Sequence, residues 1–305
     1  MIEEADIVGS EVTQLPTPAG LWLTCGPARP VEADDPALRA VPGDGRFTLL
    51  VGAPGEPTPT VYQIADAVRS LAPAHQERLV LTVYGAEPAD QISLAQLLAD
   101  ALGTPVRAFH GLPLNEADGL GNRTAIDPAG RPSWQPFAQL SRYWPGSTGA
   151  VVESWQAPFP GAAPIGPGQY RLTDEWAVDL VPAGLVARPV DAATNPLLRC
   201  APTHPDRVDL IVDGTGPQPL PDDMLTALGR FADALPFPAR TRLRVVLTPG
   251  LPPASAQALR WAVPAPQESL AGGPEPVRPP ARLATALGVS AQGRMMLIRS
   301  GSGNP

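Results

Sequence analysis

Short apolar runs alternate along the chain with segments of helical periodicity. The runs at 47–51 and 79–83 are typical of strands that are buried on both faces of a sheet. Between them, residues 60–71 place apolar side chains at spacings of three and four, which predicts an amphipathic helix. This order predicts an α/β fold with parallel strands.

The same pattern continues to residue 109. A helix is predicted over 93–102, with Gly103 just past its end, followed by a strand over 105–109. Residues 20–25 predict a further short strand before the first long one.

A second region has a similar order of predicted elements. It predicts strands and helices over 208–212, 222–235, 243–247, 254–262, 282–287 and 295–298. We therefore expect two three-layer α/β/α units with mainly parallel sheets.

Sequence motifs recur in the same order in both regions. Ala28-Arg29-Pro30-Val31-Glu32-Ala33 matches Ala187-Arg188-Pro189-Val190-Asp191-Ala192, and the last matching pair is Leu98–Gly103 with residues 283–288. Across these blocks the offset between the copies grows from 159 to 185 residues, as loop insertions would produce. The pattern predicts a tandem duplication, with a first unit at 1–115, a connector at 116–172, a second unit at 173–301 and a tail at 302–305.

The connector has a different composition from the two units. Trp134, Trp144 and Trp155 lie among eight prolines between Pro128 and Pro167, which argues against regular helix or central strand. One interpretation is an ordered segment whose tryptophans fill grooves on the units. The other is an exposed aromatic site for a partner.

Composition excludes several classes of function. All 22 basic residues are arginine, so no lysine can form a Schiff base or reach a nucleotide phosphate. The net charge of −8 and the lack of an Arg-rich window predict no nucleic-acid binding. The longest apolar runs are too short to cross a bilayer, which predicts no membrane insertion.

The start of the chain is acidic, Met1-Ile2-Glu3-Glu4-Ala5-Asp6, unlike a Sec signal. A cytoplasmic location is expected, with export by another route left open. Cys25 and Cys200 are too few for a disulfide framework or a zinc site, although a single bridge between them stays open.

The loops after predicted strands are where an α/β protein binds ligands. Gly52-Ala53-Pro54-Gly55 is not a phosphate-binding motif, because Pro54 lacks an N–H. Asp213-Gly214 is an ordinary turn dipeptide, with a ligand role as the alternative. Two thiol–imidazole pairs deserve testing for nucleophilic chemistry, Cys25 with His110 and Cys200 with His204.

The remaining titratable groups suggest structural roles. Glu3-Glu4, Asp34-Asp35 and Asp222-Asp223 are paired carboxylates, and the last pair would start a helix, where negative charge is favourable. His75 is expected in a solvated loop. No histidine spacing matches a catalytic zinc motif, so we predict no catalytic, cofactor-binding or metal-binding residues.

A weak family resemblance adds to this interpretation. Residues 95–106, followed by Gly130-x-x-Ser133-Trp134-x-x-Phe137, resemble α/β modules of very large actinobacterial polymorphic-toxin-like proteins, some of them related to caspase-like (clan CD) cysteine peptidases. In catalytic members a His-Gly and a Cys end two neighbouring strands. Here those strand ends are Val51-Gly52-Ala53 and Val83-Tyr84-Gly85, so the resemblance implies an inactive relative, a pseudoenzyme.

These observations favour a non-catalytic structural or protein-interaction module, with a protein partner and within a larger effector or assembly. The alternatives are a cysteine-dependent hydrolase that uses Cys25 and His110, and a small-molecule-binding domain with its ligand between the units, near Gly52 and Asp213.

Overall fold

Two seven-stranded sheets dominate the computed structural model. It describes residues 12–26, 32, 35–40, 45–85, 87, 92–114, 123–146, 149–214, 219–249 and 251–269. All of these residues belong to one compact unit. The predicted elements at 282–287 and 295–298 lie outside the described residues, as does the tail.

The first sheet has the strand order β1-β2-β3-β4-β5-β8-β9. In chain order its region contains β1 (Val12–Thr17), β2 (Gly20–Cys25), α1 (Pro36–Arg39), β3 (Phe47–Val51), α2 (Val61–Ser70), α3 (Pro73–Glu77), β4 (Leu79–Val83), α4 (Leu94–Leu102), β5 (Val106–Phe109), β6 (Leu112–Pro113), β7 (Arg123–Thr124), β8 (Ala138–Tyr143) and β9 (Val151–Trp155). Strands β6 and β7 form a separate two-stranded sheet.

The second sheet has the order β10-β11-β12-β13-β14-β15-β16. Its region contains β10 (Pro164–Gly166), β11 (Gln169–Arg171), β12 (Trp176–Val181), β13 (Gly184–Pro189), α5 (Pro196–Arg199), β14 (Val208–Val212), α6 (Asp222–Ala234), α7 (Phe237–Arg240), β15 (Leu243–Leu247), α8 (Pro253–Ala262) and β16 (Gln267–Ser269).

Each sheet has a parallel centre of four strands, β2 to β5 in the first and β13 to β16 in the second. The α/β class with parallel strands is therefore confirmed. Antiparallel pairings flank both centres and are as numerous as the parallel ones, so the sheets are mixed and not mainly parallel. The strands that the sequence prediction missed include β1 and β12, the outer strands of the two hairpins.

A hairpin opens the parallel centre of each sheet. Thr17 pairs with Gly20 across a two-residue loop, and Val181 pairs with Gly184 across another. A Cβ on Gly20 would collide with the backbone of Thr48, and one on Gly184 would collide with the backbone of Asp209. Glycine therefore lets the next strand approach the hairpin closely.

The longer helices of each sheet lie on one face only. On the first sheet, α2 and α4 pack against β3, β4 and β5, whereas the single turn of α1 packs on the opposite face. On the second sheet, α6 and α8 lie on one face and the single turn of α5 on the other. This differs from the predicted three-layer sandwich, because the connection from β2 to β3 and that from β13 to β14 each contain only a four-residue helix.

Local capping explains the helix boundaries. Thr60 and Gln63 form a capping box at the start of α2, and Ser93 caps α4. Gly103 ends α4 with a left-handed conformation, as predicted. In element order, the helix that follows β15 is α8 at Pro253–Ala262. By element order the counterpart of α4 is therefore α8, whereas residues 283–288, which the sequence matched to Leu98–Gly103, lie outside the described residues.

The connector contains strands of both sheets. Strand β8 lies between β5 and β9, so the prediction that this region has no central strand is wrong. Ala138–Tyr143 contains no proline, and Pro164 lies at the start of the edge strand β10. Strands β10 and β11 of the same region join the second sheet.

The tryptophans of the connector differ in their burial. Trp134 is fully buried, and its indole N–H donates to the carbonyl of His204 at 2.8 Å. Trp155 is 38% exposed at the edge of the first sheet. Trp134 therefore fits the interpretation that the tryptophans fill grooves. Trp155 fits the other interpretation, an exposed aromatic site for a partner.

The two sheet regions interlock through exchanged side chains. Trp134 and Phe137 of the connector belong to the apolar cluster on the α6 and α8 face of the second sheet. Cys200, which follows α5, belongs to the cluster on the α2 and α4 face of the first sheet. Each core is thus completed by residues from the other side of the interface.

Candidate functional site

A small crevice lies at the carboxyl ends of β4 and β5, the place where ligands bind in open α/β sheets. We call it the strand-end crevice; it is lined by Val83, Gly85, Glu87, Phe109, His110, Gly111, Ala125, Ile126, Thr203 and Pro205. Residues of the connector and of the loop after Cys200 contribute to this lining. Its free space of about 20 Å³ is enough for a single water molecule.

A buried histidine–serine pair forms one wall of the strand-end crevice. His110 follows β5, and its Nε2 lies 2.8 Å from the hydroxyl oxygen of Ser141 in β8. Ser141 is fully buried, and His110 is 4% exposed. Burial lowers the pKa of His110 to about 3, so the imidazole is neutral at pH 7 and can pair with the hydroxyl as donor or acceptor.

Glu87 also lines the crevice. Its Oε2 accepts a hydrogen bond from the backbone N–H of Leu94, at the start of α4, at 2.9 Å. Burial raises the pKa of Glu87 to about 7, and the bond from Leu94 only partly offsets this. Tyr143 lies close to Glu87 and Ser93, and burial raises its pKa well above the usual value.

Cys200 lies behind these groups, in the core of the first sheet region. Its Sγ is 3.5 Å from Oε1 of Gln96, and its carbonyl accepts a hydrogen bond from Ser93 N–H at 2.8 Å. Burial raises the pKa of Cys200 to about 11. Because the thiolate is the nucleophile, a buried thiol with this pKa is unreactive at neutral pH. No disulfide joins Cys200 to Cys25.

The two candidate thiol–imidazole pairs are not formed. Cys25 ends β2 and His110 follows β5, so three strand spacings, about 14 Å, separate them across the sheet. The Cys200 thiol contacts Gln96, whereas the His204 ring contacts the Arg207 guanidinium at 2.6 Å. Burial, followed by Arg207, lowers the pKa of His204 to about 4.

Gly52 and Asp213 belong to different sheets, and each makes contacts within its own sheet region. The Gly52 carbonyl accepts a hydrogen bond from the Trp22 indole at 2.7 Å. The Asp213 carboxylate accepts hydrogen bonds from Asn195 N–H and the Thr248 side chain, while burial raises its pKa. Both residues therefore have structural contacts at their strand ends.

The other candidates occupy structural positions as well. Asp35 caps α1 and accepts a hydrogen bond from the Tyr84 hydroxyl at 3.0 Å. Asp222 and Asp223 lie in the first turn of α6, as predicted. His75 is exposed as expected, but the predicted loop is wrong, because it lies in α3; its ring stacks on Phe47, with ring centroids 4.4 Å apart. Glu3, Glu4 and Asp34 lie outside the described residues.

Sequence reasoning missed most of the strand-end crevice. Glu87, Ser141 and Tyr143 come from a loop and from β8, far apart in the chain. The one local signal was the pair of caps on α4, Ser93 and Gly103, which indicates a helix start beside a strand end.

Metal sites, membrane spans and known relatives give no indication of function. Within the described residues, no three His, Cys, Asp or Glu side chains are grouped as metal ligands. None of the helices in the described ranges has the length and apolarity needed to span a bilayer. No protein-family model, curated protein or solved structure matches the chain.

Proposed function

We propose that the protein is a non-catalytic structural or protein-interaction module within a larger assembly. The observation that supports this most is the small free space of the strand-end crevice. An enzyme site needs room for its substrate, and about 20 Å³ does not admit one. The interlocked cores favour a rigid block.

The polar groups at the crevice fit a structural role. A serine nucleophile must be accessible to its substrate, whereas Ser141 is fully buried behind His110. The raised pKa of Cys200 argues against a thiolate nucleophile at neutral pH. His110 and Ser141 instead satisfy each other in the interior, as buried polar groups must.

We further propose that the two sheet regions arose by tandem duplication, and that the chain is an inactive relative of the toxin-associated, caspase-like modules. The duplication is supported by the shared order of hairpin and three parallel strands, and by the identical turn sequences Pro18-Ala19-Gly20-Leu21 and Pro182-Ala183-Gly184-Leu185. Sequences of relatives test it: each half of a distant relative should match either half of this chain.

Chemical probes test the absence of catalysis. We expect a fluorophosphonate to leave Ser141 unmodified, and iodoacetamide to alkylate Cys200 only after the chain is denatured. The Cys25→Ser variant makes Cys200 the sole thiol, so that mass spectrometry reads it directly. Peptide or ester turnover that disappears in Ser141→Ala or Cys200→Ala would overturn the proposal.

Capture from the source organism tests the interaction role. With the folded chain as bait, we expect one partner in stoichiometric amount, retained equally by the His110→Asn variant. A bait that stays monomeric and hydrolyses a substrate contradicts the module.

A further inference from the structure

Four arginines lie on neighbouring strands of the first sheet, on the face that α1 covers. Arg46 and Arg78 immediately precede β3 and β4, and Arg107 and Arg142 lie in β5 and β8. Because side chains alternate along a strand, the four arginines lie on the same side of the sheet as Leu50, Val80, Phe109 and Leu140. These apolar residues belong to clusters other than the one that contains α2 and α4. We call these four residues the arginine stripe.

Half of the stripe already binds a carboxylate. Arg107 and Arg142 pair directly across β5 and β8. Glu153 of β9 lies between them, 2.9 Å from Nε of Arg107 and in contact with Nη2 of Arg142. A single carboxylate therefore neutralises two guanidinium groups that would otherwise repel each other.

The second sheet repeats this arrangement. Asp209 forms a two-bond ion pair with Arg244, at 2.9 and 3.0 Å, and its Oδ1 lies 3.7 Å from Nε of Arg207. Here too, one carboxylate lies between arginines of adjacent strands. A carboxylate between two arginines thus occurs once in each of the two sheets.

Arg46 and Arg78 form a similar pair without a carboxylate. The residues after them, Phe47 and Leu79, pair across β3 and β4, and the N–H of Phe47 donates to the carbonyl of Arg78 at 3.0 Å. The Arg78 guanidinium extends over Gly45, next to Arg46. In the part of the chain that the structure describes, neither arginine makes an ion pair, and Nη1 of Arg46 is buried without a hydrogen-bond partner.

We propose that the Arg46–Arg78 pair binds a carboxylate of an acidic segment in a partner protein. Such a carboxylate would occupy the position that Glu153 and Asp209 take between the other arginine pairs, and it would bind the exposed guanidinium of Arg78. A long polyanion fits less well, because the chain carries a net charge of −8 and would repel it. The proposal rests on the proposed function and specifies the chemistry of the partner.

A labelled acidic peptide tests the arginine stripe directly. The probe is a short fluorescein-labelled peptide with two glutamates, and binding is followed by fluorescence anisotropy at low salt with the full chain. Loss of charge-assisted hydrogen bonds in the Arg46→Gln/Arg78→Gln variant should weaken binding about tenfold or more. These two arginines are chosen because their loss leaves no buried carboxylate unpaired.

The matched control changes two exposed arginines elsewhere. Arg230→Gln/Arg240→Gln removes the same charge from α6 and α7 and should change the affinity by less than about twofold. Circular dichroism and thermal melts check that both variants fold. The proposal is overturned if the peptide does not bind, if both variants bind it equally, or if a single-stranded DNA of equal charge binds more tightly through the same arginines. None of these outcomes alters the chemical-probe result, so the two proposals fail separately.

Discussion

The sheet faces that α1 and α5 cover carry different side chains at corresponding positions of two similar sheets. Thr48 in β3 pairs with Val80 in β4, at the register where Asp209 in β14 pairs with Arg244 in β15. The first sheet places a hydroxyl and an apolar side chain where the second sheet places an ion pair. The strand arrangement therefore tolerates charge on this face when each charge has a partner.

The hairpins repeat this contrast. In β12 and β13 the Asp179 carboxylate binds Arg188 through two bonds of 2.9 Å and also accepts from the Thr194 hydroxyl. Both charged side chains are 6% exposed. The corresponding positions in β1 and β2 hold Leu15 and Thr24. At these positions the second sheet has a buried ion pair, whereas the first has uncharged side chains.

The largest effect should come from breaking the buried pair on one side. Arg188→Ala leaves Asp179 buried without its partner, and we expect the free energy of unfolding to fall by about 3–5 kcal/mol. Urea unfolding measures it. The double variant Asp179→Leu/Arg188→Met removes both charges and should recover most of the loss; equal destabilisation of the two variants would contradict the argument.

Glu87 in the first region and His204 in the second contribute to stability with opposite pH dependences. Because the folded-state pKa of Glu87 is raised to about 7, its contribution to stability is present below pH 4.5 and is lost as pH rises through 7. The pKa of His204 is lowered to about 4, so its contribution is present above pH 6.5 and is lost as pH falls through 4.

Replacing Glu87 with glutamine separates the contribution of Glu87 to stability from that of His204. We expect Glu87→Gln to gain stability relative to the wild type as pH rises from 4.5 to 7, because the variant has no proton to lose there. Unfolding curves at several pH values measure the difference, with exposed Glu77→Gln as the control. A difference that does not change with pH would show that Glu87 keeps its ordinary pKa in the folded protein.

The smallest expected effect comes from a substitution that gives the first sheet the residue found at the same position of the second. Thr82 is fully buried and its hydroxyl has no hydrogen-bond partner, whereas the corresponding position in β15 is Val246. Thr82→Val should raise the free energy of unfolding by about 1 kcal/mol, since it removes an unsatisfied polar group. The reciprocal Val246→Thr should lower it by a similar amount, and thermal melts of the two variants should shift in opposite directions.

The inner parallel strands of the sheets were predictable from sequence. Strands β3, β4, β14 and β15 are continuous apolar runs, and α2 and α4 carry helical periodicity with clear caps. Burial on both faces produces this signal, so it survives in a single sequence.

The edges of the sheets and the candidate site were not predictable in the same way. Strand β16 has only three residues, and β8 lies in a proline-rich region whose prolines hide a regular strand. The His110–Ser141 contact depends on pairing between β5 and β8, which joins residues 31 positions apart. No local pattern encodes such a contact.

The position of Cys200 has a consequence for synthesis on the ribosome. The core around α4 lacks one of its members until residue 200 has left the exit tunnel, although every strand of the first sheet precedes it in the chain. Trp134, in turn, is made before the second sheet that buries it exists. The nascent chain therefore carries an unfinished first core and an uncovered indole during translation, and the final packing of both regions occurs together, late in synthesis.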